Sequence, residues 1–314
     1  MKRYFFVLIS LLLVISACTP QATTTPEAVA PTIEVTPTLA APTQPASIFD
    51  YDTSRPFDVQ INSQSEQDGV TITDLSYASH DPGFSVNGRT IAYLVTPKGE
   101  GPFAGVVFLH WLGSPNGGRK QFLEEAVNLA QHGVVSLLLQ GYYPWMTVTT
   151  LDETDRPRIL GQIKEISRGV DFLLTQPNVD PQRLGFVGHD YGAVFGGTVA
   201  GVDKRVKTYV LIAGVPTLGD FQQVGIKLPD GYLSFIEDLD PVRYVSKASP
   251  ASIFFQFAKN DQFVSEEMAN QFADAASEPK KATWYDDHHQ MANETASADR
   301  LAWLTEQLGL SVPK

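Results

Sequence analysis

Cysteine and positive charge are both scarce in this sequence. Cys18 is the only cysteine in 314 residues, so a disulfide within the chain and a zinc site built of several thiolates are both excluded. The 23 Lys and Arg residues face 35 Asp and Glu residues, which gives a formal net charge of −12. Nucleic-acid binders need clustered Lys and Arg, so the charge balance argues against a nucleic-acid partner. Hydrophobic residues make up 43% of the chain, which excludes a wholly disordered protein.

The N-terminus has the pattern of an export signal. Two basic residues precede an apolar run at 4–15, which is shorter than the roughly 20 residues that a transmembrane helix needs. Residues 15–18 read Ile-Ser-Ala-Cys and resemble a bacterial lipobox, whose cleavage would leave Cys18 as a lipid-bearing N-terminus. We therefore expect 1–17 to be a lipoprotein signal peptide and the mature protein to be anchored to the membrane outside the cytoplasm. An ordinary signal peptide with an incidental cysteine is the alternative.

Residues 18–47 are rich in Thr, Pro and Ala and carry only two charges, Glu27 and Glu34. Such a segment buries too little apolar surface to offset its chain entropy, and its prolines favour extended conformations. The composition predicts a tether, with one folded domain over 48–314.

Strands and helices alternate after residue 48. Two strands at 69–78 and 89–95 flank the turn residues Asn87 and Gly88, which indicates a hairpin. Further strands are predicted at 104–109, 134–139, 183–187, 206–212, 251–257 and 282–285, and helices at 119–131, 159–174, 192–200, 266–276 and 296–308. This alternation predicts an α/β fold with a mostly parallel, doubly wound sheet and helices on both faces.

A nucleophile-elbow pattern follows the strand predicted at 183–187. Residues 188–193 read Gly-His-Asp-Tyr-Gly-Ala, which places Asp190 between small residues at a turn from strand to helix. That turn lifts its central side chain to the N-terminus of the helix, where negative charge is favoured. Functional groups of open α/β sheets collect beyond the carboxyl ends of the strands, so we predict a site at Asp190.

From about residue 88 to its end the chain resembles the α/β-hydrolases, and its layout is most similar to dienelactone-hydrolase-like members. Four segments carry the resemblance: FLHWLG at 108–113, DPQRLGFVGHDYG at 180–192, FAKND at 257–261 and WYDDHH at 284–289. It implies a single α/β-hydrolase domain with a short lid at 215–247, a small-molecule substrate, no cofactor, and a triad in the order nucleophile, acid, histidine. Dienelactone hydrolases have Cys at the elbow and most esterases have Ser. Asp190 is instead the residue type of haloalkane dehalogenases and epoxide hydrolases.

An aspartate at the elbow changes the chemistry. A carboxylate is already ionised near neutral pH, so it can attack without a base. Its attack on an ester carbonyl would form a high-energy anhydride, whereas attack on a saturated carbon bearing a halide or an epoxide oxygen forms an ordinary alkyl ester. Water activated by a histidine then hydrolyses that ester. We therefore predict a covalent ester on Asp190 and a small, fairly apolar substrate.

The resemblance implies the other two members of the triad. The family places its base after the last strand, where His288 and His289 both stand, and alignment with the usual aromatic-acidic-x-x-His ending favours His289. Asp261 stands where the family has its acid, although it could instead cap the helix that begins near Ser265. The predicted catalytic residues are Asp190, His289 and Asp261.

The resemblance also implies backbone donors for the negative oxygen of the intermediate. These are Tyr191, directly after the nucleophile, and either Trp111 or Leu112 in the loop after the strand at 104–109. His110 is expected to brace that loop, and His189 to point into packing behind its strand. Four aromatic residues are candidates for the substrate pocket: Tyr143, Trp145, Tyr232 and Tyr244.

Two rival hypotheses remain open at this point. The chain could be an inactive hydrolase-fold protein that binds a ligand in the cleft. Alternatively, Asp286, Asp287, His288 and His289 could form a metal site, although a solvated loop around one catalytic histidine is favoured over it.

Overall fold

A sheet of nine strands runs through the part of the chain that the computed structural model describes, which is residues 47–113, 117–143, 150–220 and 228–310. The strands are β1 (Gln60–Gln67), β2 (Val70–Ala78), β3 (Arg89–Thr96), β4 (Phe103–Leu109), β5 (Val134–Leu139), β6 (Val179–His189), β7 (Thr208–Ile212), β8 (Ser252–Ala258) and β9 (Lys280–Tyr285). The predicted signal peptide, Cys18, the tether up to residue 46 and Trp145 lie outside the described residues.

The helices are α1 (Leu123–Gln131), α2 (Asp155–Leu174), α3 (Tyr191–Val202), α4 (Val242–Val245), α5 (Glu266–Ala275) and α6 (Glu294–Leu308). Within the described residues, no helix combines the length and the apolar character needed to cross a membrane.

The order of strands in the sheet is β1-β2-β3-β5-β4-β6-β7-β8-β9. The pairs from β5 to β9 are parallel, while β1, β2, β3 and β5 pair antiparallel with one another in turn. This arrangement confirms the predicted α/β class and its mostly parallel sheet. Strands β4, β5, β7 and β8 are buried along their whole length, which is why they read as continuous apolar runs in the sequence.

Helices cover both faces of the sheet, as predicted. Residues of α2, α3 and α5 belong to one buried apolar cluster, for example Ile163, Phe195 and Phe272. Residues of α1 and α6 belong to the other, for example Leu129 and Leu304. Each helix therefore buries its apolar stripe against one side of the strands.

One strand, β1, and several element boundaries differ from the prediction. Strand β1 is polar and exposed along its length, so it lacks the apolar alternation that marks a strand. Helix α1 begins at Leu123 rather than 119, and the Arg119 guanidinium, in the turn before it, pairs with Asp74 at N–O distances of 2.9 and 2.8 Å. Helix α2 begins at Asp155, before Pro157, which the first turn of a helix tolerates.

The loops after β4, β6, β8 and β9 meet at one edge of the sheet. Asp190 follows β6, Asp261 lies three residues after β8, and His289 lies four residues after β9. The carboxyl ends of these parallel strands therefore bring together residues that are up to 99 positions apart, as between Asp190 and His289.

Candidate active site

Asp190 occupies a strained turn between β6 and α3. Its backbone has φ 58° and ψ −117°, a region that costs a residue with a side chain on the order of 1–3 kcal/mol. A Cβ atom on Gly188 would lie 2.2 Å from the carbonyl oxygen of Gly192, and one on Gly192 would lie 2.2 Å from that of Leu109. Only glycine fits at either position, so the two glycines keep the turn tight and the Asp190 side chain forward.

His289 lies between two carboxylates. Its Nδ1 is 2.8 Å from Oδ2 and 3.0 Å from Oδ1 of Asp261, and its Nε2 is 3.7 Å from Oδ1 of Asp190. The structure thus brings the three predicted triad side chains together, in the order in which a nucleophile, a base and an orienting acid must stand.

The two carboxylates decide the charge of His289. Burial alone would lower the pKa of its imidazole, but the hydrogen bonds and charges of Asp190 and Asp261 outweigh burial and raise it to about 9. His289 is therefore protonated at neutral pH while both carboxylates are present.

Asp261 orients His289 and also closes its own loop. Its Oδ1 accepts hydrogen bonds from the backbone N–H groups of Phe263 and Val264, at 2.8 and 3.0 Å. The cap of α5 is Ser265, whose hydroxyl accepts from the N–H of Met268. Asp261 is therefore not the helix cap that the sequence left open.

The neighbouring residues of the 286–289 segment have structural partners. His288 is exposed, and its Nδ1 lies 3.1 Å from the carbonyl oxygen of Asn260. Asp286 accepts from the amide of Asn260, and Asp287 accepts from the N–H of Asn293 at the start of α6. In the part of the chain that the structure describes, no group of three or more His, Cys, Asp or Glu side chains is arranged to hold a metal ion.

The structure separates the two alternatives for the oxyanion donor after β4. The N–H of Leu112 donates to Oδ2 of Asp190 at 3.1 Å, whereas the N–H of Trp111 donates to Oε1 of Gln121 at 2.9 Å. Of the two predicted alternatives, Leu112 is thus the one whose N–H reaches Asp190, because the N–H of Trp111 is engaged by Gln121. Tyr191, the other predicted donor, is the first residue of α3, so its N–H belongs to a helix N-terminus, which favours negative charge.

No family model and no curated protein matches this chain, but many solved structures share its architecture. An acetyl xylan esterase from Paenibacillus sp. R4 superposes with a TM-score of 0.65 at 18% identity, covering 81% of this chain and 90% of that one. Acetyl xylan esterase 1 from Thermoanaerobacterium sp. JW/SL YS485 gives a TM-score of 0.64 at 14% identity, covering 83% and 91%. A putative dienelactone hydrolase from Klebsiella pneumoniae subsp. pneumoniae gives 0.56 at 15%, covering 76% and 98%. This chain has the α/β-hydrolase fold.

One predicted pocket residue, Tyr143, and one predicted oxyanion donor, Tyr191, lie near Asp190 in this α/β-hydrolase fold, since the charge of Asp190 acts on both side chains. Burial and the charge of Asp190 raise the pKa of Tyr143 well above its usual value, and Tyr191 shows the same effect. Their rings are 5.6 Å apart. Tyr232 is buried, and its hydroxyl donates to Oδ2 of Asp155 at 2.9 Å. The side chains of Tyr143 and Tyr191 thus lie near enough to Asp190 for its charge to affect them.

Tyr244 lies elsewhere, and its assignment to the pocket is wrong. Its backbone and Cβ pack against Gly201 near the C-terminal end of α3, and its ring contacts Phe49 at 5.4 Å. Asp190 precedes the opposite end of that helix, about 16 Å away at 1.5 Å per residue.

The described part of the predicted lid, 215–220 and 228–247, is fixed to the start of α2. The Arg156 guanidinium donates to the carbonyl oxygen of Phe235 at 3.0 Å and pairs with the Asp238 carboxylate. Tyr232 is held on Asp155 of the same helix. These contacts tie the segment to the sheet edge that carries Asp190.

Two further residues, which no sequence motif indicates, contact the site. Phe263 packs edge-on against the His289 ring with 4.9 Å between centroids, and Gln121 binds the loop of Leu112. Neither residue belongs to a motif, since both are recognised only by what the fold brings beside them. His110 does brace the oxyanion loop, as predicted: its Nδ1 is 2.6 Å from the carbonyl oxygen of Trp111, and its Nε2 accepts from the N–H of Gly141.

A cavity of about 1120 Å³ opens between α1 and α6, lined among others by Trp111, Gln121, His189 and Arg300. None of the three triad side chains lines it. It therefore lies beside the triad, on the side of His189.

Proposed function

We propose that the protein is a hydrolase that forms a covalent alkyl ester on Asp190 with a small, fairly apolar substrate. The observation that carries the proposal is the orientation of the Asp190 carboxylate. Oδ2 accepts from the N–H of Leu112 at 3.1 Å, while Oδ1 faces Nε2 of His289 at 3.7 Å. One oxygen of the nucleophile thus already occupies the place where negative charge must later be stabilised, and the other is directed to the cleft.

In the first step Oδ1 of Asp190 attacks a saturated carbon of the substrate. A carbon–oxygen bond forms, and the bond from that carbon to its leaving group breaks with the electron pair going to the leaving group. An ionised carboxylate needs no base for this step. A protonated His289 is therefore compatible with the attack.

In the second step, formation of the ester makes His289 able to act as a base. Esterification removes the negative charge of Asp190, which is one of the two charges that hold the pKa of His289 at about 9. His289 then loses its proton more readily, to the leaving group or to solvent, and becomes able to accept one from water.

The attack of that water on Cγ of Asp190 completes the cycle. It places negative charge on Oδ2, beside the N–H of Leu112 and the N-terminus of α3. The bond between Cγ and the alkyl oxygen breaks, the alcohol leaves and the carboxylate is restored. The net reaction consumes one water and yields an alcohol and the protonated leaving group from an alkyl halide, or a single diol from an epoxide, whose leaving oxygen stays attached.

The similar solved structures support hydrolase chemistry in general, because those proteins are named as esterases and hydrolases. Their identities of 14–18% do not transfer an ester substrate to this chain. A carboxylate that attacks an ester carbonyl forms an anhydride, whereas alkyl halides and epoxides give a stable ester. These two classes are therefore the proposed substrates.

The experiment is to trap the intermediate. The His289→Gln variant, incubated with a panel of haloalkanes, epoxides and esters, should accumulate an adduct of the alkyl mass on the peptide that contains Asp190. The double variant Asp190→Asn, His289→Gln is the matched control and should remain unlabelled. No adduct with any haloalkane or epoxide, or an adduct on another residue, would overturn the proposal and favour a ligand-binding protein without turnover.

We further propose that the mature chain is anchored through a lipid on Cys18 and acts outside the cytoplasm. The lipobox-like motif and the tether support this placement. In a bacterial host fed a labelled fatty acid, the wild-type chain should take up label and sediment with membranes, whereas the Cys18→Ser variant should do neither. Labelling that persists in that variant would contradict the proposal.

A further inference from the structure

Three hydrogen bonds form a chain behind the triad. The N–H of Trp111 donates to Oε1 of Gln121 at 2.9 Å, Nε2 of Gln121 lies 2.5 Å from Nδ1 of His189, and Nε2 of His189 lies 2.8 Å from the carbonyl oxygen of His289. This hydrogen-bond chain thus connects Trp111, in the loop after β4, through Gln121 and His189 to the backbone of His289.

The polarity of this chain is fixed at both ends. The carbonyl oxygen of His289 can only accept, so Nε2 of His189 must carry the proton and its Nδ1 must accept. Gln121 then presents its amide N–H₂ to His189 and its oxygen to Trp111, whose N–H can only donate. A neutral His189 and a single orientation of Gln121 satisfy every bond.

The surroundings of His189 hold it in that neutral form. It is 1% exposed, and burial, together with the nearby positive His289, lowers its pKa well below its usual value. Its ring stacks on the Trp111 indole, with 5.3 Å between centroids and 5° between planes. The imidazole is therefore held between the Trp111 indole and the backbone of His289.

The two loops that the chain joins come from distant strands. The residue after Trp111 is Leu112, whose N–H holds Oδ2 of Asp190, and the imidazole of His289 faces the other oxygen. In the sheet β4 and β9 are separated by β6, β7 and β8, so strand pairing alone fixes neither loop against the other.

We propose that Gln121 and His189 are positioning residues that hold the oxyanion donor and the base in register across Asp190. The catalytic meaning of that register depends on the proposed function. The register itself is a property of the protein without substrate, and it can be measured there.

The test compares two hydrogen-bonded glutamines, Gln121, which is half-buried, and Gln256, which is buried. Gln121→Met removes the centre of the hydrogen-bond chain. Gln256→Met is the control, because Gln256 forms hydrogen bonds to Ala296 and Arg300 and not to Trp111, Gln121 or His189. Both variants should lose stability. Only Gln121→Met should speed amide hydrogen exchange at Leu112, by roughly tenfold for one lost hydrogen bond, and lower the pKa of His289 measured by NMR.

Two further variants separate positioning from simple packing. His189→Phe keeps a ring against Trp111 but breaks the chain, so it should change the same two readouts, and the double variant with Gln121→Met should add little to either single change. Gln121→Glu should restore slow exchange at Leu112, because its carboxylate can accept from Trp111 and from a protonated His189. Readouts in Gln121→Met that match those of Gln256→Met, or strictly additive effects in the double variant, would overturn the proposal. Because none of these measurements uses a substrate, they can succeed even where the trapping of an ester on Asp190 fails.

Discussion

Two buried histidines, His189 and His289, lie next to each other at this edge of the sheet but differ in protonation: His189 is neutral and His289 is charged. The ring centroids of His189 and His289 are 5.6 Å apart, and the residues are 1% and 2% exposed. Burial lowers the pKa of His189 well below its usual value, whereas two carboxylates overcome burial and raise that of His289 to about 9. Burial by itself thus predicts a neutral imidazole, and the charge of an imidazole in this site is set by the partners of its two nitrogens.

The largest effect is expected from removing the Asp190 carboxylate, which faces His289 and not His189. Asp190→Asn removes the proposed nucleophile and should abolish turnover of any substrate that labels Asp190, by about 10⁶-fold in kcat, as losses of a nucleophile do elsewhere. It should also lower the pKa of His289, which moves that residue toward the state of His189. An NMR titration of the two imidazoles checks this, and an unchanged His289 would contradict the assigned cause.

Removing the second carboxylate should have the next largest effect. Asp261→Asn leaves a partner at Nδ1 of His289 that no longer stabilises its charged form, and in a comparable triad such a change costs about 10⁴-fold in kcat. The pKa of His289 should fall here too. Because the proposed alkylation needs no base, the rate at which Asp190 is labelled should change far less than the hydrolysis of the ester. Equal losses in both steps would argue against the division of roles.

The raised pKa of His289 should appear in the pH dependence of stability. Between pH 6.5, the ordinary value, and about 9, the native state binds the proton of His289 more tightly than the unfolded state does. The resulting stabilisation is full below pH 6.5 and is lost as the pH rises through about 9, on the order of 3 kcal/mol in total. Urea unfolding of wild type and His289→Gln across this range should show the slope in wild type alone, and His189→Phe should retain it.

His189 should give a smaller effect of the opposite sign. Its folded-state pKa lies below the unfolded value, so its stabilisation is present above pH 6.5 and is lost as the pH falls below that value. The same unfolding series continued to pH 5 should show a shallower acid loss in His189→Phe than in wild type. His110, whose pKa burial also lowers, contributes equally in both proteins. An identical acid loss would mean that His189 is not held neutral.

The sequence carried most of the fold and the composition of the triad. Apolar runs predicted the buried strands, and the glycines around Asp190 predicted the elbow, because both signals are local. The polar strand β1 has no such signal, since it is an exposed edge strand that pairs with β2 on one side only. Tyr244 was assigned to the cleft because it lies in the segment that carries Tyr232, and nothing local shows that this segment turns its two tyrosines to different ends of α3.

The link between Trp111 and His289 could not be predicted for a different reason. Gln121 stands 10 residues from Trp111 and 68 from His189, and His189 stands 100 from His289. The role of Gln121 and of His189 depends on which atom of the neighbouring residue each one bonds, and the sequence does not show this. His189 was expected to face packing behind its strand, and it does so. That it also joins two loops is visible only in three dimensions.

The turn at Asp190 has a consequence for how such proteins diverge. Its shape is imposed by Gly188, Gly192 and the carbonyl oxygens that crowd them, and not by the carboxylate it displays. A lineage could therefore exchange the reactive group at this one position, carboxylate for hydroxyl or thiol, without rebuilding the backbone that presents it. Families that share this scaffold can therefore diverge in chemistry through a single substitution while their backbone structure stays the same.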